Sequence, residues 1–165
     1  MVYKYLTPSN VIVTEGMHVM ENDVTLRIAD VAIAQLLDLT GSFNVKKICG
    51  IDRCFLAPEL LLKDPYVPVS TKADIWSVGV ILYILLSGEP PFNGQTDEEI
   101  VEKIKIGEYT FDGPRWDEIS AEAKDLIARI LCKEEDRISA ADAFQHPWFD
   151  MVRRLEEEND SAALH

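Results

Sequence analysis

Basic residues are scarce in this chain of 165 residues, where 16 lysines and arginines stand against 29 aspartates and glutamates and the formal net charge is −13. Surfaces that bind nucleic acids or anionic membranes need clustered positive charge, so we expect neither partner. Cysteine is also scarce, with three residues and no C-x-x-C pair, which argues against a disulfide framework or a zinc site. Free cysteines fit a reducing compartment, so we expect an intracellular, cytoplasmic protein.

Long apolar runs and targeting signals are missing as well. The longest apolar run, residues 78–86, is about half of the ~20 residues that a membrane span requires. Residues 1–10 do not combine a basic region with an apolar run, so we expect no signal peptide. Hydrophobic residues make up 47% of the chain, which is enough to bury a core and argues against intrinsic disorder.

The first third of the chain predicts short strands and a long loop. Residues 11–13 and 24–28 are rich in β-branched and apolar residues and predict two strands. From residue 35 to residue 63 neither a helical nor a strand period persists, so we expect a long loop of the functional type there.

The remainder of the chain is dominated by helix signals. A helix over about residues 72–86 can be capped by Ser70 or Thr71, and its residues are apolar on nearly every side. We therefore expect a central helix that is surrounded by protein.

Three further helices are predicted from their N-terminal capping residues. The helices begin after Thr96, Ser120 and Ser139, and the last one is expected to end at Pro147.

Four sequence motifs follow one another in a fixed order. They are A-P-E at residues 57–59, D-I-W-S-V-G at 74–79, G-E-P-P-F at 88–92, and R-I-S at 137–139 followed by H-P-W-F at 146–149. Together they resemble the C-terminal lobe of a protein kinase, and residues 92–148 are most similar to calcium-dependent and calmodulin-dependent Ser/Thr kinases. The resemblance implies a mainly α fold with a few short β-strands. Residues 1–150 would form part of a kinase domain and residues 151–165 an acidic tail.

The resemblance implies structural roles for three charged residues. Glu59 would pair with Arg137 in a charge-assisted, bidentate interaction, the alternative being two unrelated surface charges. Asp74 would accept hydrogen bonds from the backbone of the catalytic loop, the alternative being a carboxylate that the dipole of its own helix favours.

The catalytic loop departs from the kinase pattern. Kinases transfer phosphate with H-R-D-x-K-x-x-N, in which the Asp accepts the proton of the substrate hydroxyl. Aligned on Pro8 and Asn10, residues 3–10 read Y-K-Y-L-T-P-S-N, which places Tyr5 at the catalytic Asp and Thr7 at the Lys. A phenol with an ordinary pKa near ~10 stays protonated at neutral pH, and threonine removes a positive charge from the phosphate. We therefore expect no intact catalytic residue and an inactive, pseudokinase-like fragment that is not an enzyme.

The metal-binding motif is altered too, since D-V-A at residues 30–32 stands where D-F-G is expected. Asp30 and Asn10 keep the two positions that contact Mg-ATP in the family. Asp30 could equally be a hydrogen-bonded residue at the end of a strand. We expect no cofactor, although contact with Mg-ATP at these two vestigial positions stays possible, and we assign no metal site.

The sequence contains no G-x-G-x-x-G loop and no V-A-I-K lysine, so we expect a lobe without the N-terminal lobe and the first helices of the C-terminal lobe. Such a fragment would act by protein-protein interaction and could self-associate through apolar surface that the missing helices leave. Two alternatives stay open: part of an active Ser/Thr kinase whose N-terminal lobe lies outside this chain, and a nucleotide-binding regulator without turnover.

Overall fold

Helices form most of the regular structure in the computed structural model, which describes residues 2–4, 6–15, 24–29, 50–62, 68–150 and 153–154. The strands are β1 (Val11–Glu15) and β2 (Val24–Ile28), and the α-helices are α1 (Pro58–Leu62), α2 (Lys72–Ser87), α3 (Asp97–Ile106), α4 (Pro114–Asp117), α5 (Ala121–Ile130) and α6 (Ala140–Phe144). Three 3-10 helices span Pro8–Asn10, Gly50–Phe55 and Pro147–Phe149. The predicted fold class, mainly α with a few short strands, is confirmed.

The two strands form an antiparallel ribbon in which Val11 lies opposite Ile28. Both predicted strands are confirmed. The ribbon is poorly covered, since the side chains of Val13 and Leu26 are 61% and 65% exposed. An isolated two-stranded ribbon is marginally stable in water, so its attachment to the rest of the lobe matters. One further pair continues the ladder into the loop over residues 3–10, where the Ala29 N–H donates to the Asn10 carbonyl oxygen at 2.8 Å.

Helix α2 is the central element and is buried along one side. Its buried residues recur at the helical period and include Trp76, Val80 and Tyr83. On the opposite side Val78 is 43% exposed and Leu85 is 76% exposed. The expectation of a helix surrounded on every side is therefore wrong within the described residues, because none of the elements there covers this side.

The helix starts follow the predicted capping chemistry. Each capping oxygen accepts the N–H three residues further on at 3.2 Å: Thr96 from Glu99, Ser120 from Ala123, and Ser139 from Asp142. At the start of α2 the Ser70 hydroxyl accepts the Lys72 N–H at 3.3 Å. The last helix ends at Phe144 rather than at Pro147, and the proline instead begins a 3-10 helix, where its missing N–H costs nothing.

The long loop expected over residues 35–63 is partly wrong. A 3-10 helix (Gly50–Phe55) and α1 lie inside it. Both elements are too short for a period to appear in the sequence, and their stability comes from contacts with α2 and α3. Residues 35–49 and residue 63 lie outside the described residues.

The core is built on aromatic rings from α2 and the segments that follow it. Trp76 is fully buried and stacks on Phe92 with ring centroids 5.4 Å apart. Tyr83 packs against Trp116 with centroids 4.7 Å apart. The apolar side of α5 closes the core, with Ile127 fully buried. Within the described ranges, no helix is both long and apolar enough to cross a membrane.

The division of the chain at residue 150 stays a prediction. Beyond that point the structure describes only residues 153–154. Arg153 donates a hydrogen bond to the carbonyl oxygen of Phe144 at 2.6 Å, so this part of the expected tail contacts the lobe.

Replacing Gly79 by alanine tests the contact between α2 and α5. A Cβ at Gly79 would overlap the side chain of Ile130 and lie 3.1 Å from that of Leu131. Alanine favours a helix by ~1 kcal/mol over glycine, but overpacking should dominate, and we expect a net destabilisation of about 1–2 kcal/mol in urea unfolding. The exposed neighbour provides the control, because Val78→Ala should stay within about 0.5 kcal/mol of the wild type. Equal stability of Gly79→Ala and wild type would contradict the packing of these helices.

Candidate functional site

A buried ion pair joins the beginning of α1 to the segment before α6. Arg137 Nη1 donates to Glu59 Oε1 at 2.6 Å and Nη2 donates to Glu59 Oε2 at 3.1 Å. The two side chains are 0% and 5% exposed, for Arg137 and Glu59 respectively. The pair is therefore bidentate and largely removed from water, the geometry in which a guanidinium and a carboxylate attract each other most strongly.

The guanidinium of Arg137 also ties together backbone from two other places. Nη1 donates to the carbonyl oxygen of Lys72 at 2.7 Å, and Nη2 donates to that of Cys132 at 3.0 Å. Its central carbon lies 5.0 Å from the ring centroid of Trp76, within the range of a cation–π interaction. Its Nε has no hydrogen-bond partner among the described residues. All four N–H bonds of the two terminal nitrogens are thus used, which offsets the cost of burying the charge.

Asp74, in the first turn of α2, holds the segment at the beginning of the chain. Its Oδ2 accepts the N–H of Tyr3 at 2.8 Å and its Oδ1 accepts the N–H of Lys4 at 2.7 Å. Lys4 has a φ of 71°, an uncommon left-handed conformation for a residue other than glycine. Burial raises the pKa of the Asp74 carboxyl, and the two N–H bonds oppose this effect only partly. The carboxylate therefore fixes the backbone of this loop at two successive residues.

Tyr3 makes a second attachment, which the sequence analysis missed. Its hydroxyl donates to the carbonyl oxygen of Ala29 at 2.9 Å, while the N–H of Ala29 donates to the carbonyl oxygen of Asn10 at 2.8 Å. Both polar groups of the Ala29 backbone are thus held by the loop over residues 3–10. A hydroxyl-bearing aromatic residue two positions before Tyr5 was the available signal, but only the fold shows that it reaches the end of β2.

Thr7 and Asn10 lie together within the loop. Thr7 is buried, and its Oγ1 donates to Asn10 Oδ1 at 2.9 Å and lies 2.6 Å from the hydroxyl of Ser9. Thr7 thus orients the side chain of Asn10. Tyr5 and Asp30, the other two site residues inferred from the sequence, lie outside the described residues.

The segment before α1 is fixed against α2 and α3. Trp76 Nε1 donates to the carbonyl oxygen of Cys54 at 3.2 Å, and the Ser77 hydroxyl donates to that of Phe55 at 2.8 Å. Arg53 forms an ion pair with Asp97 at 3.3 Å. The backbone of the Gly50–Phe55 helix is therefore held by the same helix that holds the loop over residues 3–10.

The described residues supply few side chains that could bind a metal ion. The described residues contain no group of three or more His, Cys, Asp and Glu side chains that could hold a metal ion. Asn10 Oδ1 is an oxygen of the kind that Mg²⁺ binds, and it accepts one hydrogen bond from Thr7. A site built around Asn10 would therefore need at least one further oxygen ligand.

Comparison with known proteins identifies the family. The sequence profile of the protein kinase domain matches residues 1–149. The chain is 37% identical over 148 residues, or 89% of its length, to calcium/calmodulin-dependent protein kinase type 1 from Caenorhabditis elegans. It is 37% identical over 159 residues, or 96% of its length, to calcium-dependent protein kinase 4 from Plasmodium falciparum. The probable serine/threonine-protein kinase fhkC from Dictyostelium discoideum is also 37% identical, over 89% of the chain.

The chain belongs to the protein kinase family, as the order of its motifs predicts. It spans 39%, 28% and 24% of the lengths of the nematode, Plasmodium and Dictyostelium relatives. The matching part contains the A-P-E motif with Glu59 and the segment with Arg137, which the fold brings into contact.

The prediction that the chain is not an enzyme is corrected by these matches. That prediction depended on Tyr5 and Thr7 taken together, on the altered D-V-A motif at residues 30–32, and on the lack of N-terminal-lobe motifs in the sequence. The relatives that match nearly the whole chain are named as serine/threonine, calcium-dependent and calcium/calmodulin-dependent protein kinases, so the family is one of enzymes. The structure adds that Thr7 is buried and donates a hydrogen bond to Asn10.

Removing Arg137 tests the ion pair. In Arg137→Met the carboxylate of Glu59 would stay buried without its partner, and the carbonyl oxygens of Lys72 and Cys132 would lose their donors. We expect a loss of about 3–5 kcal/mol in the free energy of unfolding, measured with urea. Lys105→Met is the control, because its ion pair with Glu102 is exposed and should be worth less than ~1 kcal/mol. Similar losses in both variants would contradict the buried pair.

The raised pKa of Asp74 predicts a dependence on pH. Its ordinary value is 3.8, and a raised folded-state value means that the folded protein binds more protons than the unfolded chain just above this pH. Stability from this group is therefore greatest at low pH and falls as pH rises through the raised pKa. The unfolding free energy of the wild type minus that of Asp74→Asn should decrease between pH 4 and about pH 7 in urea titrations. An increase would show that the folded loop favours the charged carboxylate.

Proposed function

We propose that this chain forms the substrate-side, C-terminal lobe of a Ser/Thr protein kinase of the calcium- or calmodulin-dependent type. The reaction would be transfer of the γ-phosphoryl group of ATP to a serine or threonine hydroxyl of a protein. The family assignment and the similarity to kinases of this type support the proposal. Because ATP is an intracellular substrate, the proposal includes an intracellular location.

The observation that carries this proposal is the attachment of the loop over residues 3–10 to α2 through Asp74. Phosphoryl transfer depends mostly on positioning and electrostatic stabilisation, so the loop that faces the reacting groups must be held rigidly. Two N–H groups of the loop bind one carboxylate in the first turn of the central helix, at 2.8 and 2.7 Å. This arrangement fixes the backbone on both sides of the peptide bond between Tyr3 and Lys4, directly before position 5.

Asn10 and Asp30 are the residues that would contact Mg-ATP. Asn10 supplies an amide oxygen that Thr7 orients, and the hydrogen bond from Ala29 N–H to the Asn10 carbonyl holds the residue before Asp30 beside this loop. Amide and carboxylate oxygens are suitable ligands for Mg²⁺. When bound, the ion would neutralise charge on the phosphate groups that are transferred.

Tyr5 would lower the rate of this transfer. A general base contributes roughly 10²–10⁴-fold to such a reaction, and a protonated phenol does not accept the proton of the substrate hydroxyl as a carboxylate does. Thr7 adds no positive charge near the phosphate. The rate would then depend on the position of the substrate and on Mg-ATP rather than on a carboxylate base.

The exposed apolar residues support contact with further protein. Leu85 on α2 and Leu26 on β2 are 76% and 65% exposed, and large exposed apolar side chains in groups are typical of interaction surfaces. We propose that these surfaces contact either the remaining parts of a kinase domain or a second copy of this chain. The matched relatives are longer than the matched region, which supports the first of these two partners.

A chimeric kinase tests the proposed activity. The part of the C. elegans calcium/calmodulin-dependent protein kinase type 1 that precedes the match would be joined to this chain, and transfer of ³²P from ATP to a Ser-containing peptide measured. We expect slow, Mg²⁺-dependent transfer, and Tyr5→Asp should raise kcat on the order of 100-fold.

Two further variants make this result interpretable. Asp30→Ala should abolish transfer in the Tyr5→Asp background, because it removes the proposed carboxylate ligand. Ile106→Asp places the same new charge at a position that is 68% exposed and far along the sequence from the loop, and it should not raise kcat. A folded chimera in which neither the wild-type lobe nor Tyr5→Asp transfers phosphate would reject the proposed function.

A further inference from the structure

The loop over residues 3–10 contains a short series of hydrogen-bonded hydroxyl groups that ends on Asn10. The 3-10 helix Pro8–Asn10 begins after Thr7, and the Asn10 N–H donates to the Thr7 carbonyl oxygen at 3.0 Å. Such a helix has three residues per turn, so side chains three positions apart lie one above the other. The turn therefore brings the Thr7 hydroxyl to the carboxamide of Asn10, where Thr7 Oγ1 donates to Asn10 Oδ1 at 2.9 Å.

The direction of each hydrogen bond in this series follows from the number of protons available. A threonine hydroxyl has one proton to donate and two lone pairs that accept. Because Thr7 gives its proton to Asn10 Oδ1, Ser9 is the donor in the contact of 2.6 Å between Ser9 Oγ and Thr7 Oγ1. The order of donation is thus from Ser9 to Thr7 to Asn10, and hydrogen bonds linked in this way strengthen one another.

Thr7 is the buried member of this series. It is 3% exposed, whereas Ser9 is exposed and Asn10 is half-buried. A buried hydroxyl is costly without a partner, which favours keeping the bond to Asn10 in the folded loop. Asn10 is held through its backbone as well, since its carbonyl oxygen accepts the Ala29 N–H at 2.8 Å. With backbone and side chain both held, Asn10 Oδ1 has a defined position beside the end of β2.

A fixed amide oxygen is what a magnesium ion requires of a ligand. Thr7 uses one lone pair of Asn10 Oδ1, and the second lone pair has no partner among the described residues. Mg²⁺ demands a nearly ideal octahedral arrangement of oxygen ligands, so a carboxamide that rotates freely binds it less well than one held in place. A ligand that is ordered before the ion arrives also avoids the entropic cost of ordering on binding.

We propose that Thr7 is a positioning residue for metal binding at Asn10, and that it acts through its hydroxyl rather than through a charge. This inference rests on the proposed function, in which Asn10 contacts the magnesium ion of Mg-ATP. The substitution that removes a lysine charge from position 7 therefore also supplies a neutral group that orients a metal ligand. Without the hydroxyl, the carboxamide of Asn10 would rotate more freely and the metal affinity would fall.

Side-chain NMR relaxation of the full chain measures the orientation without metal or activity. The ¹⁵N order parameter of the Asn10 carboxamide is compared between the wild type and Thr7→Val, which has nearly the same shape but no hydroxyl. We expect about 0.8 in the wild type and less than ~0.6 in the variant, values that distinguish rigid from flexible groups. Thr7→Ser keeps the hydroxyl and should restore the wild-type value. Thr110→Val removes a hydroxyl from an exposed position elsewhere and should leave the value unchanged.

Broadening of the same NMR signal by Mn²⁺ measures the metal contact. Mn²⁺ shares the preference of Mg²⁺ for oxygen ligands, and its unpaired electrons broaden the signals of nearby nuclei. In Thr7→Val the Mn²⁺ concentration that half-broadens the Asn10 carboxamide should rise at least fivefold, whereas in Thr7→Ser it should stay within twofold of the wild type. The exposed Gln95 carboxamide, next to the acidic start of α3, reports non-specific contact and should broaden equally in all variants.

Three outcomes would overturn the proposal. An unchanged order parameter in Thr7→Val would show that the hydroxyl does not hold the carboxamide. A lower order parameter with unchanged Mn²⁺ broadening would show that this orientation does not affect metal binding. Both results would leave the proposed function standing, whereas no selective broadening of Asn10 in the wild type would reject metal contact at Asn10 in both proposals. Thermal melting verifies that each variant folds, and Thr7→Ala repeats the test with a smaller side chain if Thr7→Val does not.

Discussion

One buried guanidinium, that of Arg137, holds the described lobe together. It is the largest charged group in the interior, and its terminal nitrogens donate four hydrogen bonds: two to Glu59 and one each to the carbonyl oxygens of Lys72 and Cys132. Helix α1 and the first turn of α2 are each too short for their own apolar residues to fix where they pack in the fold. Because a buried charge is costly unless its bonds are made, the folded chain must bring these segments to one point.

The same arrangement extends to the candidate catalytic loop. Arg137 binds the carbonyl oxygen of Lys72, and Asp74 lies two residues further along α2. The carboxylate of Asp74 accepts the N–H groups of Tyr3 and Lys4, which lie 71 and 70 positions away in sequence. Arg137 thus fixes the start of α2, and the start of α2 fixes the loop over residues 3–10. Burial of Asp74 raises its pKa, so the attachment of the loop has an electrostatic cost.

Local signals in the sequence were sufficient for much of the fold. Thr96, Ser120 and Ser139 cap their helices through contacts three residues away, and such short-range chemistry can be recognised without a structure. The one-sided burial of α2 could not be predicted, because a helix that is apolar all round has no period to show which side is covered. Leu85 is 76% exposed although its side chain is as apolar as those of the buried residues of the same helix.

Contacts in the candidate site between residues far apart in sequence could be predicted only where family motifs mark both residues. Glu59 and Arg137 lie 78 positions apart, so no local pattern connects them, and only the order of family motifs placed them together. Tyr3 shows the opposite case. Its hydroxyl reaches Ala29 through the fold, and no motif marks it. The prediction that the chain is not an enzyme was wrong because the substitutions at positions 5 and 7 were given more weight than similarity to kinases along nearly the whole chain.

A double-mutant cycle on the buried pair tests the central claim most directly. Unfolding free energies would be measured for Glu59→Leu, Arg137→Met and the double variant. Each single variant leaves one buried charge alone, whereas the double variant leaves none. The account predicts that the double variant is more stable than the sum of the single losses implies, with a coupling energy of at least about 2 kcal/mol. Additive losses, within about 0.5 kcal/mol, would show that the two charges do not depend on each other and would contradict the account.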